Sequence, residues 1–177
     1  MQSLHSSAGA PGYVASLDRG LRVFFAEFLR VSLSSPRRAW FFLRVLVSQV
    51  RAASVRGSWR RRGVHVPPIA IFSITERCNL RCKGCYAQAQ REAKPDTLQE
   101  ADLRRIVSQG ADLGISFFVI AGGEPLTRPE ILDVAGDFPR VVFLLITNGL
   151  LLDAGRIARL RDQRNTVPVL SIEGDRD

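Results

Sequence analysis

The chain is short of several residue types that usually carry function. Its 177 residues include two histidines, two lysines, one methionine and three cysteines. Three cysteines are too few for a disulfide scaffold, and an odd number cannot pair off. A four-ligand structural zinc site would need His5 or His65 as its fourth ligand, and only His65 lies anywhere near. Long apolar runs are missing too. Ala39–Leu43 ends at Arg44 and Val141–Ile146 ends at Thr147, far short of the ~20 residues a bilayer requires. The opening MQSLHSSAGAPGY has no basic start and no apolar core, so it does not read as a secretory signal. A cytoplasmic chain with reduced thiols is the expectation.

Acidic residues are scarce in one region only. Residues 1–67 hold eleven arginines, no lysine, and only Asp18 and Glu27 as acids, a net +9. Residues 68–177 sum to −1. The overall +8 therefore belongs to a basic arm, residues 1–67, followed by a nearly neutral domain, residues 68–177. Arginine outnumbers lysine along the whole chain, which a coding bias can produce, and the neutral domain offers no charge-based case for nucleic acid.

The arm reads as two helices. From about Leu17 to Leu33, residues Leu21, Phe24, Phe25, Phe28 and Leu29 recur on one face. Ser34-Ser35-Pro36 stops that helix and starts a second, capped by Ser35 and running to about Val55. Arg37, Arg44 and Arg51 form a stripe, with Phe42, Leu43, Leu46 and Val50 away from it. Two readings stand side by side. The hairpin either packs its apolar face on the following domain, or lies on an anionic membrane with Trp40 inserted, a peripheral contact.

From Pro67 onward, apolar runs alternate with helical segments. Strands are expected at Ile69–Ile74, Ile115–Ala121, Val141–Thr147 and Val167–Ile172. Between them, Thr97-Leu98-Gln99-Glu100 and Thr127-Arg128-Pro129-Glu130 read as capping boxes, and Asp153 caps a third helix through about Arg161. Such uniformly apolar runs suit parallel strands covered on both faces. The fold class is α/β: a partial parallel (βα) barrel of about four strands and three helices, preceded by a helical arm. Ligands collect at the carboxyl ends of such strands. The segments there are Thr75–Tyr86, Gly122–Pro125, Asn148-Gly149, and Ser171 with Glu173 and Gly174. Every chemically unusual cluster falls on one rim.

All three cysteines lie in the window Cys78-Asn79-Leu80-Arg81-Cys82-Lys83-Gly84-Cys85. Three thiolates on a four-iron cube leave one iron open to another ligand, whereas a ferredoxin-type cluster takes four thiolates. CNLRCKGC resembles the CxxxCxxC loop of the radical S-adenosylmethionine (SAM) enzymes. The likeness extends to AGGEPL at Ala121–Leu126, ITNG at Ile146–Gly149 and SIEG at Ser171–Gly174, all within residues 68–177.

The resemblance implies that Cys78, Cys82 and Cys85 ligate three irons of a 4Fe-4S cluster. It implies that Gly122, Gly123, Glu124 and Pro125 hold the amino end of SAM. Ser171 and Glu173 match a position that often meets its ribose or carboxylate, and Asn148 is a further cofactor-binding candidate, with a turn residue before Gly149 as the alternative. The family often has an aromatic residue before the third cysteine; here that position is Gly84, and Tyr86 follows instead. The implied reaction is reductive cleavage of SAM to a 5′-deoxyadenosyl radical, which abstracts hydrogen from a substrate the sequence does not name. The implied electron donor is a flavodoxin- or ferredoxin-type reductant. The competing function is a non-catalytic iron–sulfur or zinc-binding module. No acid–base dyad or nucleophile stands out, and Glu76 and Arg77 read as a charged loop edge. At about 31 residues per unit of a full barrel, residues 68–177 hold about three and a half units. The family usually has six, so a truncated product or a piece of a longer protein is expected.

Overall fold

The computed structural model describes residues 36–85 and 98–172, together with Arg30. The chain divides into two compact units, Met1–Val45 and Leu46–Asp177. Among the described residues of the second lie four strands: β1 (Ile69–Ser73), β2 (Phe117–Ala121), β3 (Val142–Thr147) and β4 (Thr166–Leu170). They form one sheet in the order β1-β2-β3-β4, every pair parallel. Among the described residues, the helices longer than one residue are α1 (Pro36–Arg61), α2 (Glu100–Leu113), α3 (Glu130–Asp137) and α4 (Ala154–Gln163), with a short 3-10 helix at Pro125–Thr127. This is the expected α/β arrangement of four parallel strands alternating with three helices after an N-terminal helix.

Alternation along the strands sets the core. Phe118 and Ile120 of β2, and Phe143 and Leu145 of β3, are buried. They pack with Leu103 and Val107 of α2, Ile131 and Leu132 of α3, and Leu160 of α4. The Phe118 and Phe143 rings stack with centroids 5.9 Å apart. The other face corrects the expectation of strands covered on both sides. Ile71 is 75% exposed, and Val167 and Val169 are exposed as well. Among the described residues, helices cover one face only, the outer layer of a barrel-like wall.

The open edge of β4 contains Pro168. Phe143 N–H donates to Asn165 O and Ser171 N–H to Thr147 O, so the odd-numbered residues of β4 face β3. The N–H that Pro168 lacks thus belongs to the outer side of the strand, where its absence breaks no ladder bond.

Helix boundaries differ in instructive ways. α1 runs six residues beyond Val55, because nothing in Arg56–Arg61 breaks it and Arg60 and Arg61 suit its negative C-terminal end. Its final carbonyls are met by Gly63 N–H on Arg60 O and Val64 N–H on Trp59 O. α2 is capped at Gln99 rather than Thr97, with Gln99 N–H on Asp102 Oδ2 at 3.1 Å. The expected box at Thr127–Glu130 does not form. Thr127 belongs to the 3-10 turn, and Glu130 receives Arg128 Nε at 2.8 Å instead. Asp153 caps α4 as expected, accepting from Arg156 N–H at 2.8 Å. The first arm helix, Ser35 and Thr97 lie outside the described residues.

α1 enters the second unit by its later turns. Gly114 ends α2 with φ +94°, and a Cβ there would sit 2.8 Å from Ala52 O of α1. Glycine is needed at this point both for the left-handed backbone and for the close approach. Arg56 Nη1 then donates to Gly114 O. Further along, α3 and α4 are tied by Arg159 to Asp133 and by Gln163 Nε2 on Leu132 O at 2.7 Å.

Candidate functional site

Because all four strands are parallel, their carboxyl ends share one edge. Thr75–Cys85 follow β1, Gly122–Pro125 follow β2, Asn148-Gly149 follow β3, and Ser171 follows β4. The first three segments are joined by hydrogen bonds.

The loop after β2 lies directly on the cysteine loop. Gly123 N–H donates to Thr75 O at 2.8 Å, and Glu124 N–H to Arg77 O at 2.7 Å. A Cβ on Gly122 would stand 2.3 Å from Thr75 O, and one on Gly123 would stand 2.2 Å from Arg77 O. Real side chains cannot occupy those spaces. The two glycines therefore have a structural task within the chain: they let these two loops touch.

Glu124 is 1% exposed, an unusual place for a carboxylate. Its Oε1 accepts from Leu126 N–H at 3.0 Å and Thr147 Oγ1 at 2.8 Å, and its Oε2 accepts from Asn148 N–H at 2.8 Å. Three donors compensate its burial. They also lock the β2 loop to the end of β3. Thr147 Oγ1 in turn accepts from Gly149 N–H at 3.0 Å.

Asn148 reaches the cysteine loop. Its Nδ2 donates to Asn79 Oδ1 at 2.8 Å and lies 3.9 Å from Cys78 Sγ. Cys78 Sγ also accepts from Leu80 N–H at 3.4 Å. Cys78 and Cys85 are half-buried, Cys82 is exposed, and none forms a disulfide. Cys85 N–H donates to Cys82 O at 3.2 Å, a turn that keeps those two residues close in the backbone. An all-thiol donor set on one accessible loop fits an iron–sulfur cluster by its chemistry. Among the described residues, no three His, Cys, Asp or Glu side chains converge closely enough to hold a metal ion as they stand. Ser171 is exposed at the end of β4, beside Thr147 through its backbone bond. Glu173 and Tyr86 lie outside the described residues. Glu76 and Arg77 are exposed at the loop edge.

Arg128 is a site residue that the sequence pattern concealed. It is buried, with Nε on Glu130 and Nη1 donating to Ile74 O at 2.9 Å. Ile74 is the last residue before the cysteine loop begins at Thr75, so Arg128 fixes that loop's root. The one available signal was an arginine two residues after the GGEPL turn.

A family profile for the radical SAM superfamily matches residues 72–177. The chain belongs to the radical SAM superfamily. Among curated relatives, the Fe-coproporphyrin III synthase of Methanosarcina barkeri is 27% identical over 113 residues, covering 62% of this chain and 28% of that protein. The PqqA peptide cyclase of Gluconobacter oxydans is 32% identical over 97 residues, covering 53% of this chain and 27% of that protein. The chain thus spans under a third of the relatives it matches. Among solved structures, Streptococcus suis SuiB bound to its precursor peptide SuiA aligns with a TM-score of 0.54 at 23% identity, covering 64% of this chain and 26% of SuiB. That likeness supports the radical SAM barrel-like fold.

Proposed function

We propose that the rim of this sheet is the cofactor site of a radical SAM enzyme, with Cys78, Cys82 and Cys85 ligating three irons of a 4Fe-4S cluster. The observation that carries the reading is the hydrogen-bonded meeting of the cysteine loop, the Gly122–Pro125 loop and the Thr147–Gly149 turn. When bound, the cluster and SAM supply a 5′-deoxyadenosyl radical that abstracts hydrogen from substrate. The chain's own groups bind and orient. Gly122 and Gly123 offer backbone carbonyls for the SAM ammonium. Glu124 has about four acceptor positions and uses three internally, which leaves one on Oε2 for that ammonium. Pro125 fixes the turn that aims these groups. Ser171 and Glu173 are assigned to the ribose and carboxylate end of SAM. A flavodoxin- or ferredoxin-type protein is the proposed reductant.

Anaerobic reconstitution with iron and sulfide tests the ligand set. The expected result is about four irons per chain, lost on changing any one of the three cysteines to serine. Zinc without iron in the isolated protein would favour the non-catalytic binding module instead.

We also propose a peripheral membrane contact through α1. The helix has no acidic residue and presents Trp40 (62% exposed), Leu43, Leu46, Val47 and Val50 (62% exposed) to solvent. Positions 40, 43, 47 and 50 share one face, and Arg44 and Arg51 fall along its margin. An apolar stripe edged by arginine suits an anionic bilayer. Among the described residues, no helix is long and apolar enough to cross a membrane. Flotation with phosphatidylserine vesicles is the test: the chain should float with them and not with neutral vesicles, and a chain that stays at the bottom with both contradicts the proposal.

A further inference from the structure

We propose that Asn148 is a positioning residue for the cysteine loop, and that its side-chain amide eases reduction of the iron–sulfur centre through a hydrogen bond to Cys78. The proposal rests on the cluster reading above and goes beyond it, because it gives Asn148 a task toward the cluster rather than toward SAM.

The amide is held from behind and aimed forward. Asn148 N–H is fixed on the buried Glu124 carboxylate at 2.8 Å, and its Oδ1 accepts from Leu150 N–H at 3.0 Å. With Oδ1 committed, Nδ2 points at the cysteine loop. A side-chain NH2 has two hydrogens, and two acceptors stand in front of it: Asn79 Oδ1 at 2.8 Å and Cys78 Sγ at 3.9 Å. A residue that merely shaped the turn would need only the Oδ1 bond to Leu150. The Nδ2 contacts span from the end of β3 to the loop after β1, across the loop that follows β2. Asn148 thereby joins the three motif segments at one residue.

Cys78 Sγ receives Leu80 N–H as well. Donors around a cluster sulfur stabilise the reduced state, which carries one more negative charge, and so raise the reduction potential. Removing one donor makes reduction harder.

The experiment reconstitutes the full chain and measures two quantities on each protein: iron per chain, and the midpoint potential followed by EPR during a redox titration. Asn148→Ala removes the donor. Asn148→Asp keeps the Oδ1 that accepts from Leu150 and replaces the donor by a carboxylate oxygen, which guards against a variant that fails only because its turn is lost. Asn79→Ala keeps the donor but frees its second hydrogen. The expected result is wild-type iron with a more negative potential in both Asn148 variants, more so for Asp. At a fixed solution potential the reduced-to-oxidised ratio should fall about tenfold, which is 59 mV for a one-electron couple. Asn79→Ala should shift the potential less. Iron at the wild-type level with an unmoved potential in both Asn148 variants overturns this inference alone. A wild-type chain that takes up no iron overturns the cluster reading and this inference with it.

Discussion

Changing Glu124 to glutamine is the most informative single substitution for the architecture of the rim. The carboxylate is buried and accepts three hydrogen bonds, from Leu126 N–H, Thr147 O–H and Asn148 N–H. Glutamine has the same shape, but one of its two terminal atoms is a donor. If the NH2 takes the Oε1 place it meets two donors; if it takes the Oε2 place it meets one. The second orientation is the less costly, so one bond is lost, and the other two fall from charge-assisted to neutral. Bonds to a charged group contribute about 1.5–3 kcal/mol and neutral ones about 0.5–1.5. The smaller desolvation penalty of a neutral amide offsets part of the loss. A net destabilisation of about 2–3 kcal/mol follows. At roughly 2–4 °C per kcal/mol for a chain of this size, the melting midpoint should drop by about 5–10 °C. Thermal unfolding followed by circular dichroism at neutral pH reads this directly. A midpoint within 1 °C of wild type would mean that the carboxylate does not tie the β2 loop to the end of β3, and the account of the rim would be wrong.

Gly123→Ala should displace the cysteine loop, because its Cβ would press on Arg77 O and C; iron uptake on reconstitution should fall sharply while the far-UV circular dichroism spectrum is kept, and normal uptake would refute the close approach. Asn165 donates to Ala135 O, Phe138 O and Val141 O, at 2.8–3.2 Å, while Ala135 O and Phe138 O also accept the N–H groups of Phe138 and Val141, so Asn165→Ala removes the side-chain bonds and should cost about 1–3 kcal/mol in urea unfolding; a cost under about 0.5 kcal/mol would contradict that role. Asp102 has its pKa lowered from 3.8, first by the Gln99 backbone N–H and then by Arg105. Since the folded value is the depressed one, its stabilising effect is complete above pH 3.8 and fades as pH falls through the lower folded value. The melting-midpoint difference between wild type and Asp102→Asn should therefore hold at neutral pH and shrink in acid below about pH 4; a difference that grows in acid would reverse the sign.

The strands were legible because runs such as Phe117–Ala121 and Val142–Ile146 are apolar throughout, and the rim was legible because each motif follows a run. What escaped depends on partners far along the chain. Arg128 finds a carbonyl at Ile74 and Asn165 finds three around the end of α3, and no local pattern marks such pairs. The family resemblance gives Gly122 and Gly123 the task of holding the amino end of SAM. The structure gives them a second purpose, contact with the backbone of Thr75 and Arg77, which only the folded chain displays. The helix caps moved for a related reason. Asp102 closes the cap of α2 on Gln99, and Arg128 draws Glu130 away from Thr127. The exposed sheet face departs from expectation because an unbroken apolar run signals two apolar faces but does not say what covers the second.

The central claim is that three cysteines and the adjoining loops hold a cluster that acts on SAM. The most direct test loads the full chain anaerobically with iron and sulfide, adds SAM and dithionite, and measures 5′-deoxyadenosine by chromatography. The account predicts 5′-deoxyadenosine that depends on SAM and reductant and disappears in Cys78→Ser, Cys82→Ser and Cys85→Ser. An iron-loaded chain whose EPR spectrum is unchanged by SAM and which releases no 5′-deoxyadenosine would contradict it.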